Sequence, residues 1–292
     1  MMISINDYIN NIFQDFSGYV KNSEKLCDLN PFTFEAGNIP DYSNIHIQQL
    51  YLLRYAFAYA FEYKRMYSKI LKKLNTDTKL KITSFGCGPM IDYWSLCNAC
   101  EEHSFEYIGI DIIDWNYKFE SQNPNPYRFI KENMIEYIKE LKELDSDIYF
   151  FPKSICEIKN DDLTSICDSF RTKRISKDKI ILGISLRADE RNLEIDACAS
   201  EKIANSIIEN GFICKSDLNK CTCFKESQGI RKYDKSFIYP DEAKALLDKL
   251  YNECSCSDED SCEEKCREHL NRQPVLRTDN IRYQILEFER IK

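Results

Sequence analysis

Glycine and proline are scarce, 8 of each in 292 residues, which leaves little material for a disordered linker and implies a compact chain. No window approaches the ~18 consecutive apolar residues that a membrane helix requires. The opening stretch MMISINDYIN lacks a basic segment leading into an apolar run. A cytoplasmic protein with no membrane partner is therefore the expectation. Positive charge is not in excess: 40 Lys and Arg stand against 48 Asp and Glu, a formal net charge of −8, so the broad basic field of most nucleic-acid binders is missing. Histidine occurs three times, with His46 and His103 isolated, and no Ser/His/Asp grouping or G-x-S-x-G elbow supports hydrolase chemistry. A G-x-x-x-x-G-K-S/T loop is absent as well, which argues against an NTPase.

Cysteine, by contrast, is abundant at 14. Its scatter through strand-like and helix-like segments of a sizeable chain argues for reduced, mostly buried thiols rather than a disulfide scaffold. Cys254, Cys256, Cys262 and Cys266 form C-x-C-x5-C-x3-C with His269 three residues on, enough ligands for a tetrahedral zinc ion. The seven acids between Glu253 and Glu268 would favour a cation, yet they equally describe a solvated loop, so zinc is an open rather than a favoured reading. Cys97 and Cys100 fall on a helical stretch without a second pair nearby.

Near the start, Ile5, Tyr8, Ile9, Ile12, Phe13 and Phe16 fall close to one helical stripe. Residues 46–74 contain no Gly or Pro and read as a long helix carrying Tyr51, Tyr55, Tyr59, Tyr63 and Tyr67 at every fourth position. Such a ladder drifts by about 40° per step. Its first reading is packing, and its second a wall over a ligand. From residue 79 the texture changes. Strands are expected at 81–86, 106–111, 126–132, 147–152, 179–186, 212–217 and 282–291, with helices at 90–102, 134–143, 161–173 and 199–210. This alternation implies an α/β chain with a parallel sheet, helices on both faces and an antiparallel last strand. The expected organisation is a helical region over 1–78 and a second domain over 79–292. An insertion at about 219–280, containing the helix YPDEAKALLDKL, precedes the last strand.

The first of these strands runs into Gly86-Cys87-Gly88 and then a helix, an arrangement that brings bare backbone near a ligand. The second ends in Asp111, 23 residues after Gly88, where an acid can accept hydrogen bonds from ribose hydroxyls. Together these features resemble the class I S-adenosylmethionine-dependent methyltransferases, over roughly residues 79–218 and 282–291. The resemblance implies a Rossmann-like seven-stranded methyltransferase sheet with S-adenosylmethionine as cofactor. On it, Phe85, Gly86, Cys87 and Gly88 would line the methionine and ribose portion, Asp111 would hold the ribose, Ile112 and Trp115 would flank the adenine, and Asn133 and Met134 would lie near its amino group. Two departures mark a divergent branch: Pro89 follows the second glycine, and Ser84 stands where an acid is frequent. A dinucleotide-binding dehydrogenase would want a third glycine where Ile91 stands.

The resemblance also places the acceptor beside the end of the fourth expected strand. Phe151-Pro152-Lys153-Ser154 there differs from the Asp/Asn-Pro-Pro-Tyr/Phe run of enzymes that methylate base amino groups. Lys153, Ser154 and Glu157 are the candidate catalytic residues, with Glu157 as base and Lys153 as anchor for an anionic substrate; capping of the next helix is the competing reading. Cys156 reads as a buried thiol, and Arg187 as a further substrate contact. The acceptor is a small molecule or RNA. The alternatives are a catalytically inactive binding protein of this fold, or an aminocarboxypropyl transferase of the nicotianamine-synthase-like kind.

Overall fold

The computed structural model describes residues 4–22, 40–74, 78–100, 104–119, 125–223, 236–252, 273–278 and 281–291. In chain order the elements are α1 (Ile5–Asn22), α2 (Ile45–Leu71), β1 (Leu80–Phe85), α3 (Ile91–Ala99), β2 (Phe105–Asp111), β3 (Tyr127–Lys131), α4 (Met134–Glu140), β4 (Glu143–Leu144) and β5 (Ile148–Phe151). After a 3-10 turn (Ile155–Glu157) come α5 (Asn160–Thr172), β6 (Arg174–Ile175), β7 (Lys179–Ser185), α6 (Glu190–Glu209), β8 (Phe212–Cys214), β9 (Thr222–Cys223), α7 (Asp241–Asn252) and β10 (Arg282–Arg290).

The main sheet has the order β3-β2-β1-β5-β7-β10-β8. Neighbours from β3 to β7 pair in parallel, whereas β10 runs antiparallel to both β7 and β8. This is the expected Rossmann-like α/β sheet with an inserted antiparallel last strand. Strand periodicity explains its two covered faces. Ile148 and Phe150 of β5 join a core with α1, α2 and α3, while Tyr149 and Phe151 join a second core with α4, α5 and α6. Both faces being buried, the strands read as continuous apolar runs such as KIILGIS.

Three details differ from the sequence reading. β9 adds an eighth strand by pairing with β10, and β4 pairs with β6 as a separate two-residue ladder. Helix α6 starts at Glu190, not near 199, because Asp189 caps it by accepting from the Asn192 N–H at 3.0 Å. The zinc candidates Cys254, Cys256, Cys262, Cys266 and His269, and His103, lie outside the described residues. Among the described residues no group of His, Cys, Asp or Glu suits a metal ion, and no helix is long and apolar enough to cross a membrane. The cysteines whose side chains are described are free thiols: Cys87, Cys97, Cys100 and Cys167 are buried, Cys156, Cys214 and Cys221 half-buried, and Cys198 exposed.

Helix α2 positions the site. Asn44 caps it, accepting from the His46 N–H at 2.8 Å, and it packs across α3, β7 and β10. The C-terminal half of its tyrosine ladder is core: Tyr67 stacks on Phe150 at 4.6 Å and Tyr63 meets the same ring edge-on at 5.6 Å. In its N-terminal half Tyr51 lines a cleft at the carboxyl ends of the strands.

Candidate functional site

From β1 the chain proceeds to β2 and β3 on one side and then crosses to β5 on the other. At such a switch point the loops after the two central strands diverge and leave a crevice. A cleft of about 190 Å³ lies there, lined from the tips of β1, β2, β3 and β5.

Local backbone geometry shapes its floor. Gly86 and Gly88 have φ of +68° and +55°, a region that side chains disfavour, and Met90 follows at +64° before α3 begins. The Gly86 and Cys87 N–H groups both donate to the Ile110 carbonyl, at 2.8 and 3.0 Å, which draws the loop onto β2. A Cβ at Gly86 would stand 2.4 Å from the Cβ of Ser154, so the bare position is obligatory. Gly86→Ala is expected to destabilise the fold by about 2–4 kcal/mol, from positive φ and overpacking together, as read by urea denaturation.

Asp111 closes the loop. Its Oδ2 accepts from the Gly88 N–H at 2.7 Å and its Oδ1 from the Ile113 N–H at 2.8 Å. Burial pushes its carboxyl above the usual aspartate value, opposed by the hydrogen bonds from the Ile113 and Gly88 N–H groups. Of the nine cofactor-site candidates, Gly86, Gly88, Asp111, Ile112, Trp115, Asn133 and Met134 line the cleft. Ile112 is 62% exposed there, an apolar surface with room for a partner. The Asn133 Oδ1 caps α4 by accepting from the Ile135 N–H at 2.8 Å. The other two side chains point elsewhere. Phe85 is buried with Tyr149 and Phe151, and Cys87 lies against Gly109, its thiol pushed well up first by burial and then by Asp111 and Asp92.

Lys153, Ser154 and Glu157 all line the β5 end of the same cleft. The Ser154 hydroxyl donates to the Phe85 carbonyl at 2.5 Å, tying β5 to β1. Lys153 sits at φ +58°, with its ammonium 3.2 Å from Oε2 of Glu62 and donating to the Leu186 carbonyl. Glu62, on α2, is 1% exposed and also accepts from the Ser185 hydroxyl at 2.5 Å. Glu157 is exposed as a residue at the cleft mouth. Even so, the protein around its carboxyl, and secondly the Asp111 charge, push it up to about 7 against the pull of Arg187. Arg187 is held by Asp196, with Nη2 2.6 Å from Oδ1. Cys156, half-buried rather than buried, donates its thiol to the Lys153 carbonyl at 3.0 Å.

Sequence reasoning missed several participants. Tyr42 and Tyr51 line the cleft beside Trp115, with ring centroids 5.0 and 5.4 Å from it, and Asp162 lines it from α5. The ladder signalled Tyr51, but nothing local marked Tyr42. Asp92, fully buried at the start of α3, accepts from the Tyr107 hydroxyl at 2.9 Å on both oxygens. Burial pushes it up to about 6, with the neighbouring Ser84 and the bonded Tyr107 hydroxyl opposing. An acid therefore does stand beside Ser84, delivered from the following helix instead of from β1.

No family model and no curated protein matches the chain. Among solved structures it is similar to an S-adenosylmethionine-dependent methyltransferase from Archaeoglobus fulgidus, at 16% identity over 78% of this chain and 94% of that one, TM-score 0.40. It is also similar to a plantazolicin methyltransferase solved with SAH (9% identity, 94% and 99% covered, TM-score 0.44) and a cyclopropane synthase from Mycobacterium tuberculosis (11%, 95% and 98%, TM-score 0.40).

Proposed function

We propose that this chain binds S-adenosylmethionine in the switch-point cleft and transfers its methyl group to an acceptor. The observation that carries the reading is the carboxylate of Asp111 held 2.7 Å from the Gly88 N–H, where the tips of β1 and β2 meet the crevice. The residues present fit the cofactor. A carboxylate retains acceptor capacity after two backbone bonds, which suits a ribose diol. Gly86 and Gly88 line the cleft, their bare sides packed on Ser154 and Trp115, and Ile112 and Met134 offer apolar contact to a purine. When bound, the cofactor supplies an electrophilic methyl on a sulfonium.

In this reading the protein's work is mostly orientation. Ser154, bonded to the Phe85 carbonyl, and Lys153, fixed by Glu62, hold the β5 tip beside Gly86. Glu157 is the group that takes a proton from an acceptor, since a carboxyl near 7 is matched to neutral pH. The Lys153 ammonium, already paired with Glu62, serves position rather than as an anchor for an anionic substrate. The test is titration calorimetry with S-adenosylhomocysteine, followed by incubation with methyl-labelled S-adenosylmethionine. Saturable binding at one site per chain and label transfer to an acceptor are expected. Absence of any binding heat would overturn the reading, and a product carrying the amino-acid fragment would redirect it to aminocarboxypropyl transfer.

A further inference from the structure

The side chains that shape the rest of the cleft carry information about the acceptor. Three carboxylates line it, Asp111, Glu157 and Asp162, against a single ammonium, Lys153. That ammonium is already answered by the buried Glu62, and the neighbouring Arg187 by Asp196. Part of the cleft lining is aromatic, beginning with Trp115 beside Gly88. Tyr42, Tyr51 and Trp115 lie within 5.0–5.4 Å of one another, forming a continuous ring panel, and Tyr59 extends it from Tyr51 at 5.9 Å. Tyr42 and Tyr51 both feel the Glu157 charge, so panel and carboxylate bound the same space.

Negative charge plus the π faces of tyrosine and tryptophan is a combination that attracts organic cations and repels phosphate. Asp111 is committed to the ribose in the reading above, and S-adenosylmethionine itself adds one net positive charge, which leaves one carboxylate beyond those accounted for. We infer that the acceptor is a small molecule presenting an amine or ammonium group, which sits against Tyr42 and Tyr51 with Glu157 as its counter-charge, and that RNA is excluded. The inference rests on the cofactor reading, because it assigns the space that the cofactor leaves. Glu157 then has two tasks: pairing with the ammonium, and receiving the proton that an amine must shed before its lone pair is available.

The experiment uses the full chain saturated with S-adenosylhomocysteine and titrated with choline and, separately, with 3,3-dimethylbutan-1-ol, which has the same shape without the charge. Choline is expected to bind about tenfold more tightly than the alcohol. That ratio should fall toward one in Glu157→Gln and in Tyr51→Leu. Because the readout is a ratio, general damage to the cleft does not imitate it. Equal affinities in the parent protein would overturn the inference, as would competition by a short oligoribonucleotide. So would choline failing to bind while S-adenosylhomocysteine binds, since the panel would then serve only the sulfonium. Failure of S-adenosylhomocysteine itself to bind is the distinct result that removes the cofactor reading beneath it.

Discussion

Asp111→Ala is expected to weaken S-adenosylhomocysteine binding by about 100- to 1000-fold. Hydrogen bonds to a charged acceptor contribute roughly 1.5–3 kcal/mol each, and a ribose diol would make two of them with this carboxylate. The same substitution takes the acceptor from the Gly88 and Ile113 N–H groups, so the loop loses the contact that holds it in binding geometry. Folding should suffer as well, since those two N–H groups lose their acceptor, although less than two such bonds would suggest because burial disfavours the ionised form of this group. Asp111→Asn keeps one acceptor oxygen and is expected to lose only about tenfold. The raised pKa adds a pH signature. Binding needs the carboxylate, so affinity should decline on acidification, beginning above the ordinary aspartate value of about 3.9. Calorimetry across pH for the parent and both variants checks this, and an alanine variant that binds as tightly as the parent would remove the basis of the proposed function.

Which features were legible in the sequence follows from how local their determinants are. Seven strands and the Gly88–Asp111 pairing were visible because each strand is a short apolar run and the loop's needs are written in the residues that form it. The parallel register of β1 on β2 then brings Ile110 beside Phe85, and the contact follows. The ladder of β4 and β6 was not visible, since two residues per strand carry no periodicity. The early start of α6 had a usable signal in Asp189, a good capping residue, but the charged ERNLEID stretch masks any apolar stripe. Tyr42 and Glu62 were beyond reach. Their place in the site depends on how α2 lies across the sheet, which is a property of side-chain packing between segments far apart in the chain. Lys153 shows the cost: read alone it was a free cation for an anionic substrate, whereas the fold pairs it with a buried acid.

That pair carries the second large expectation. Lys153→Met should destabilise the protein by about 3–5 kcal/mol at pH 8, the usual penalty for removing one partner of a buried ion pair. Glu62 is 1% exposed and Lys153 12%, so water cannot replace the lost ammonium. The penalty should shrink on acidification. Burial already raises the Glu62 pKa, with Lys153 the largest opposing influence, so deleting Lys153 raises it further. A carboxyl whose folded pKa exceeds its unfolded value binds more protons when folded, and stability then falls as pH rises from about 4.3 toward the raised value. The variant should therefore be closer to the parent at pH 5.5 than at pH 8. Adding Glu62→Gln removes the stranded charge and keeps a side chain able to bond Ser185, so the double variant should recover most of the loss. Urea unfolding at both pH values decides the matter: a single variant whose deficit is independent of pH, with no recovery in the double, would mean that the left-handed turn at Lys153 and not its charge is what joins α2 to the strand tips.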